Sequence, residues 1–246
     1  MLSKSQISFV NALHHKKARK ENGLFIAEGI KSITEFLHSD YIVDTVFCTS
    51  AEAPKMSKLS QKIKVIEVSD SELKKISTLT TPNNGLALIR IPQKIDIKPE
   101  AFEGIFTLVL DGVQDPGNLG TIIRTADWFG FSSIICSNDT VEAYNPKVVQ
   151  ATMGSLSRMK IFYTNLAEFL ESSRLPVFGA LLDGEPIYQT NFGTEGFIVL
   201  GNEGNGISHA VKEKVTKAIT IPRFGNAESL NVAVSAAVFC SELKRN

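Results

Sequence analysis

The 246-residue sequence predicts an α/β protein in two parts: a small mixed α/β unit, then a larger one with a mostly parallel sheet. Three observations carry this expectation. Apolar runs of strand length alternate with segments of helical period along the whole chain. A polar stretch bounded by prolines, Pro92 to Pro99, interrupts the alternation and reads as a linker, giving units 1–98 and 99–246. Finally, three later apolar runs open directly into loops rich in Gly, Asn and acidic residues. Open α/β sheets bind their ligands in such loops, at the carboxyl ends of parallel strands.

In the first unit, residues 1–20 carry Lys4, Lys16, Lys17, Arg19 and Lys20 with His14 and His15, and no acid. Leu2, Ile7, Phe9, Val10 and Leu13 interleave, so the segment can pack while showing a basic face. Such a face can bind phosphates without reading sequence, and Lys16, Lys17, Arg19 and Lys20 are its candidates. A lone charge run is more often a solvated helix, which is the competing reading. The run Gly23–Gly29 predicts a strand leading into a helix over 30–37. Further strands are expected at 43–48, 64–68 and 85–91, and Asp70-Ser71-Glu72 reads as an acid-rich helix start.

In the second unit, strands are expected at 105–110, 132–136, 176–182, 196–200 and 218–221, with another at 160–163. After the first of them, Leu119, Ile122, Ile123, Ala126 and Phe129 recur at helical spacing and form a buried stripe. Arg124 falls on the opposite side with Gly120 and Asp127, so its plain reading is a surface ion pair to Asp127. The loop Gly201-Asn202-Glu203-Gly204-Asn205-Gly206 follows a strand directly. Its order is neither the G-x-G-x-x-G of dinucleotide folds nor a phosphate loop ending in Lys-Ser/Thr. Glu228-Ser229-Leu230-Asn231 then leads into a last helix that is apolar nearly all round and reads as buried.

Composition narrows the class. Residues 1–100 hold 15 Lys and Arg against 11 Asp and Glu, whereas the whole chain is balanced at 26 each. The front half is therefore basic and the rear half acidic, which suggests separate tasks. Three distant cysteines, Cys48, Cys136 and Cys240, lack metal or disulfide spacing and read as buried small hydrophobes in a reducing, cytoplasmic compartment. No apolar run approaches the length of a membrane span.

Three segments together resemble the motifs of the SpoU family of SPOUT RNA methyltransferases. They are Asn118-Leu119-Gly120 with Arg124, then Gly201-Asn202-Glu203-Gly204, then Ile221-Pro222 with Ser229-Leu230-Asn231. The opening basic run with Phe25-Ile26-Ala27-Glu28-Gly29 resembles, more loosely, the ribosomal-protein-like substrate-binding domain that precedes many SpoU catalytic domains. The resemblance implies methyl transfer from S-adenosylmethionine to a ribose 2′-hydroxyl of structured RNA, with ribosomal RNA favoured over tRNA. It also implies a homodimer, no metal, and a C-terminus threaded into a trefoil knot, which periodicity could not suggest because true knots are nearly absent among proteins.

Carried across, the catalytic residues are Asn118, Arg124, Glu203, Ser229 and Asn231. Cofactor contacts fall to Leu200, Gly201, Ile221 and Leu230, and near Ala180. Gln150 stands where many relatives have arginine, so RNA contacts shift toward Lys147 or Arg158. A guanidinium keeps its proton in proteins, so Arg124 is better suited to orient phosphate and ribose, leaving Glu203 or an RNA phosphate as base. Competing functions are base methylation within the same superfamily, a non-catalytic RNA-binding protein, and a small-molecule enzyme using a nucleotide cofactor.

Overall fold

The computed structural model describes residues 1–59 and 63–245. In chain order the elements begin α1 (Lys4–Ala12), α2 (Lys16–Asn22), β1 (Leu24–Glu28), α3 (Ile30–Leu37), β2 (Val43–Cys48) and α4 (Ala53–Leu59). Next come β3 (Lys64–Glu67), α5 (Asp70–Ile76), β4 (Gly85–Arg90), β5 (Phe106–Leu110), α6 (Pro116–Trp128), β6 (Ser133–Ser137) and α7 (Pro146–Ala151). The chain ends with β7 (Lys160–Thr164), α8 (Leu166–Glu171), β8 (Val177–Pro186), β9 (Gly196–Leu200), α9 (His209–Lys212), β10 (Lys217–Thr220) and α10 (Val232–Leu243).

Two compact units result, one of Met1–Gln93 with Glu142–Ser157, the other of Lys94–Val141 with the chain from Arg158 onward. The unit boundary thus falls a few residues before the one read at residue 98, and the first unit also takes in a piece of the later chain. The contacts explain why. Tyr144 stacks its ring 4.9 Å from that of Phe25, inside an aromatic group with Phe36 and Tyr41. Arg19 bonds to Glu142 at 2.5 Å. These are long-range contacts that no local pattern encodes.

The first unit is a four-stranded sheet in the order β1-β4-β2-β3, antiparallel except for the β2–β3 pair. Two helices begin with reciprocal capping boxes, Ser3 with Gln6 and Ser69 with Glu72, which satisfy donors that an uncapped first turn leaves open. Leu2, Val10 and Leu13 pack with Ile26, Phe47, Leu73, Ile76, Leu86 and Leu88. Of the apolar residues interleaved among the N-terminal lysines, Leu2, Val10 and Leu13 are therefore core and Ile7 packs against them, whereas Phe9 is exposed.

The second unit carries a six-stranded sheet in the order β10-β8-β9-β5-β6-β7, parallel throughout. All five residues of β6 and of β9 are buried, the pattern of strands covered on both faces. Phe102, Phe169 and Phe197 meet edge to face within the core of this unit. Cys48, Cys136 and Cys240 are free and buried, and burial pushes the Cys240 thiol up to about 12. Among the described residues no helix is long and apolar enough to cross a membrane.

Two sequence expectations change here. Gly120 is buried on the packing side of α6, so the open side consists of Gly117, Thr121, Arg124 and Trp128. The last helix is not buried all round in the single chain. Val232, Ala233, Ala236, Phe239 and Cys240 face inward, but Val234 is half exposed. Apolar content alone cannot distinguish a core helix from one with a second apolar face open to solvent.

Candidate active site

Three loops leave the carboxyl ends of β5, β9 and β10, and short-range chemistry shapes each. After β5, Asp115 caps α6 by accepting from the Asn118 amide at 2.8 Å, with Pro116 at the first helical position, where no amide hydrogen is needed. After β9, Asn202 and Gly206 exchange two backbone hydrogen bonds of 2.9 Å each, closing a tight turn. Gly206 takes φ of 68°, which a side chain would resist. Gly201 is required for a different reason. A Cβ placed there would lie 2.2 Å from the Gly206 carbonyl carbon and 2.3 Å from the Ile207 nitrogen, so only glycine lets the turn fold back on its own start.

The Asn202 side chain holds this turn in place. Its Oδ1 accepts from the Gly204 and Asn205 amides, and its Nδ2 donates to the Gly112 carbonyl at 2.7 Å. Asp111 accepts from the Ser208 amide at 2.7 Å. The loops after β5 and β9 are thereby joined. Neither Asn202 nor Asp111 was singled out from the sequence. The available signal was a hydrogen-bonding side chain set among glycines, where the backbone needs an external partner.

The third loop brings Asn231 to the same place. Asn231 caps α10, its Oδ1 accepting from the Ala233 and Val234 amides at 2.9 and 3.3 Å. Its Nδ2 donates to Asn118 Oδ1 at 3.0 Å, and Asn118 Nδ2 donates to Glu203 Oε1 at 2.6 Å. The direction of this chain is set at both ends. Glu203 can only accept when ionised, and the Asn231 oxygen is already engaged by two backbone amides. Both asparagine amides therefore have one orientation. Three residues that lie 85 and 113 positions apart from one another thus form a single directional relay.

Beside the relay lies a cavity of about 810 Å³. Ala180, Leu200, Gly201, Ile221 and Leu230, the positions expected to meet a cofactor, all line it, as do Glu203 and Ser229. Its walls also include Thr220, Arg223, Phe224, Val232, Ser235 and Phe239, which sequence reasoning did not identify. Those side chains come from the end of β10, the loop after it and α10, so their convergence is purely tertiary. Arg124 is exposed on the open face of α6 and makes no ion pair among the described residues. Asp127, its expected partner, instead takes the Arg158 guanidinium at 2.7 Å.

In the first unit the basic run separates. Lys16, Lys17 and Lys20 are exposed on α2. Arg19 is only 2% exposed and donates to Glu142 and to the Leu13 and His14 carbonyls. It leaves the set of phosphate contacts and becomes a structural residue, because Glu142 and the carbonyls of Leu13 and His14 take up its guanidinium, which helical spacing next to Lys16 does not reveal. Lys147 is exposed and Gln150 half-buried on α7. Among the described residues no group of three His, Cys, Asp or Glu could hold a metal ion.

Comparison with known proteins identifies the family of the chain. Residues 105–241 match the model of the SpoU rRNA Methylase family, and residues 4–87 match an MRM3-like substrate binding domain. The chain is 32% identical over 236 residues to the 23S rRNA (guanosine(2553)-2′-O)-methyltransferase RlmP of Bacillus subtilis, covering 94% of this chain and 93% of that protein. A putative RNA methyltransferase of the TrmH family from Porphyromonas gingivalis is 40% identical, with a TM-score of 0.90 over 100% of this chain and 99% of its own. An AdoMet-bound rRNA methyltransferase from Sinorhizobium meliloti is 28% identical, with a TM-score of 0.89 over 100% of this chain and 97% of its own.

Proposed function

The chain belongs to the SpoU rRNA methylase family, and from that premise we propose that it methylates a ribose 2′-oxygen of ribosomal RNA with S-adenosylmethionine. The observation that carries this is the relay Glu203–Asn118–Asn231 standing at the mouth of a cavity lined by Leu200, Gly201, Ile221 and Leu230. The residues present fit the cofactor. Apolar side chains of Ala180, Leu200, Val232 and Phe239 suit a nucleoside, and the carboxylates of Glu203 and Glu228 suit a cationic sulfonium. When bound, S-adenosylmethionine supplies an electrophilic methyl group with a neutral thioether as leaving group.

The protein's part is alignment, which is worth a large share of such a barrier. Asn118 and Asn231 hold Glu203 in one orientation. Glu203 Oε2 has no partner among the described residues, so it is free to accept the proton of the attacking 2′-hydroxyl. Arg124, a multi-donor guanidinium, orients the adjoining phosphate, and the Ser229 hydroxyl completes the polar rim. Residues 1–98 serve as the RNA-binding domain and 99–246 as the methyltransferase domain, with Lys16, Lys17 and Lys20 on the phosphate-binding face.

The same reading includes a cytoplasmic homodimer, supported by the half-exposed Leu230 just before α10 and Val234 in its first turn, and a knotted C-terminal crossing. The test is transfer of an isotope-labelled methyl group to unmodified large-subunit ribosomal RNA, with mass spectrometry of the digested nucleosides. Label on a ribose 2′-oxygen is expected. Label on a base, or none, would overturn the proposal.

A further inference from the structure

Phe224 has no part in the chemistry described so far, and its position is unusual. It stands on the loop between β10 and α10 and lines the cavity together with Arg223, Glu228 and Ser229. It is 96% exposed, whereas the next most exposed phenylalanine, Phe9, is 39% exposed. Among the described residues it pairs with no other ring and no cation. The fold therefore gains nothing from this ring, which leaves a large apolar surface in water at the rim of the reaction site. The loop itself is braced, since Arg223 Nη1 donates to the Ala227 carbonyl at 3.3 Å.

We propose that Phe224 is the platform on which the base of the target nucleotide stacks while its ribose is presented to the site. This rests on the ribose-methylation reading above. Proteins that recognise one position in RNA do so mainly at unpaired nucleotides, splaying the base out and stacking it on an aromatic ring or guanidinium plane. An unstacked base loses the contact of its neighbours, and a ring at the mouth of the cavity offsets that loss where the 2′-hydroxyl must be held. Of the other exposed aromatics of this unit among the described residues, Tyr188 at 54% does not line the cavity and Trp128 at 84% is less suited. It lies ten residues beyond Asn118 on α6, about 15 Å along the helix, and does not line the cavity.

The experiment compares the full-length protein with Phe224→Ala, Phe224→Leu and Phe224→Trp, using large-subunit ribosomal RNA transcribed in vitro. Loss of one base–aromatic stack is expected to lower kcat/KM for RNA, and RNA affinity with it, by roughly tenfold. Alanine and leucine should both show the loss, since leucine keeps apolar volume without a π face, and tryptophan should restore most of it. S-adenosylmethionine affinity by calorimetry and mass by sedimentation should stay at wild-type values.

Equal RNA affinity and kcat/KM in the leucine and wild-type proteins would overturn the platform. Weakened cofactor binding in Phe224→Ala would reassign the ring to the cofactor, and a lower mass would reassign it to a subunit contact. RNA affinity also separates the two readings. A wild-type protein that methylates no ribose refutes the proposed function, while RNA binding unaffected by Phe224→Ala refutes this inference.

Discussion

Asn231 has two tasks that different substitutions can separate. Its Oδ1 caps α10 and its Nδ2 donates to Asn118. Asn231→Ala removes both. The cap is worth about 1 kcal/mol, and the exposed bond to Asn118 adds little because water replaces it. For a chain of this size, about 1 kcal/mol lowers Tm by roughly 3 °C. Asn231→Asp keeps the cap, since aspartate caps as well as asparagine, so Tm should stay within about 1 °C of wild type. It nevertheless cannot donate to Asn118. If Asn118 turns its amide to compensate, Glu203 meets an oxygen and loses its own donor, so one bond of the relay is lost in either case. Loss of this alignment should lower the rate of methyl transfer by roughly ten- to a hundredfold in both variants. Thermal melts read by circular dichroism and single-turnover transfer assays measure the two effects. An aspartate variant with wild-type turnover would refute the relay, and an alanine variant with unchanged Tm would refute the cap.

Other outcomes follow from the same geometry. Arg124→Ala should melt near the wild-type temperature, because its side chain is exposed and makes no ion pair among the described residues, yet transfer should fall sharply at unchanged cofactor affinity. Arg124→Lys should be nearly as poor if the planar fork positions phosphate and ribose, and recovered activity with lysine would count against that role. Changing Lys16, Lys17 and Lys20 together to alanine should flatten the dependence of log Kd for RNA on log salt by up to about 2. Arg19→Ala should instead destabilise the first unit by roughly 3 kcal/mol in urea titration, because it strands Glu142 and two carbonyls. A stable Arg19→Ala protein with weakened RNA binding would reverse that assignment. Burial holds the His14 imidazole below its usual 6.5, and its Nδ1 is buried without a hydrogen-bond partner among the described residues. The unfolded chain therefore binds more protons near neutrality, so stability is full above pH 6.5 and declines as pH falls below it. His14→Gln should flatten the decline, and an unaltered pH profile would show that another group titrates.

The sequence alone determined the fold class and the strands, though not the helices at Ala53–Leu59, Pro146–Ala151 and Leu166–Glu171. Strand runs at 106–110, 133–137 and 196–200 are legible because burial on both faces demands unbroken apolar residues, and α6 because a buried stripe recurs at helical period. It also named the three motif loops, but through their joint resemblance to the SpoU motifs, since Gly, Asn and acidic residues after a strand are by themselves ordinary turn residues. What it could not supply was whatever depends on direction and distance across the fold. Whether Arg19 faces solvent or Glu142, and whether Asp127 meets Arg124 or Arg158, are decided by partners contributed from distant positions in the chain. The relay is of the same kind. Glu203, Asn118 and Asn231 are individually ordinary polar residues on loops, and they become one site only because parallel pairing of β9 with β5, and β8 between β9 and β10, gathers the carboxyl ends of three strands at one edge of a sheet. Strand pairing sums many backbone hydrogen bonds and buried contacts over long separations, so it exists only once the whole chain has folded.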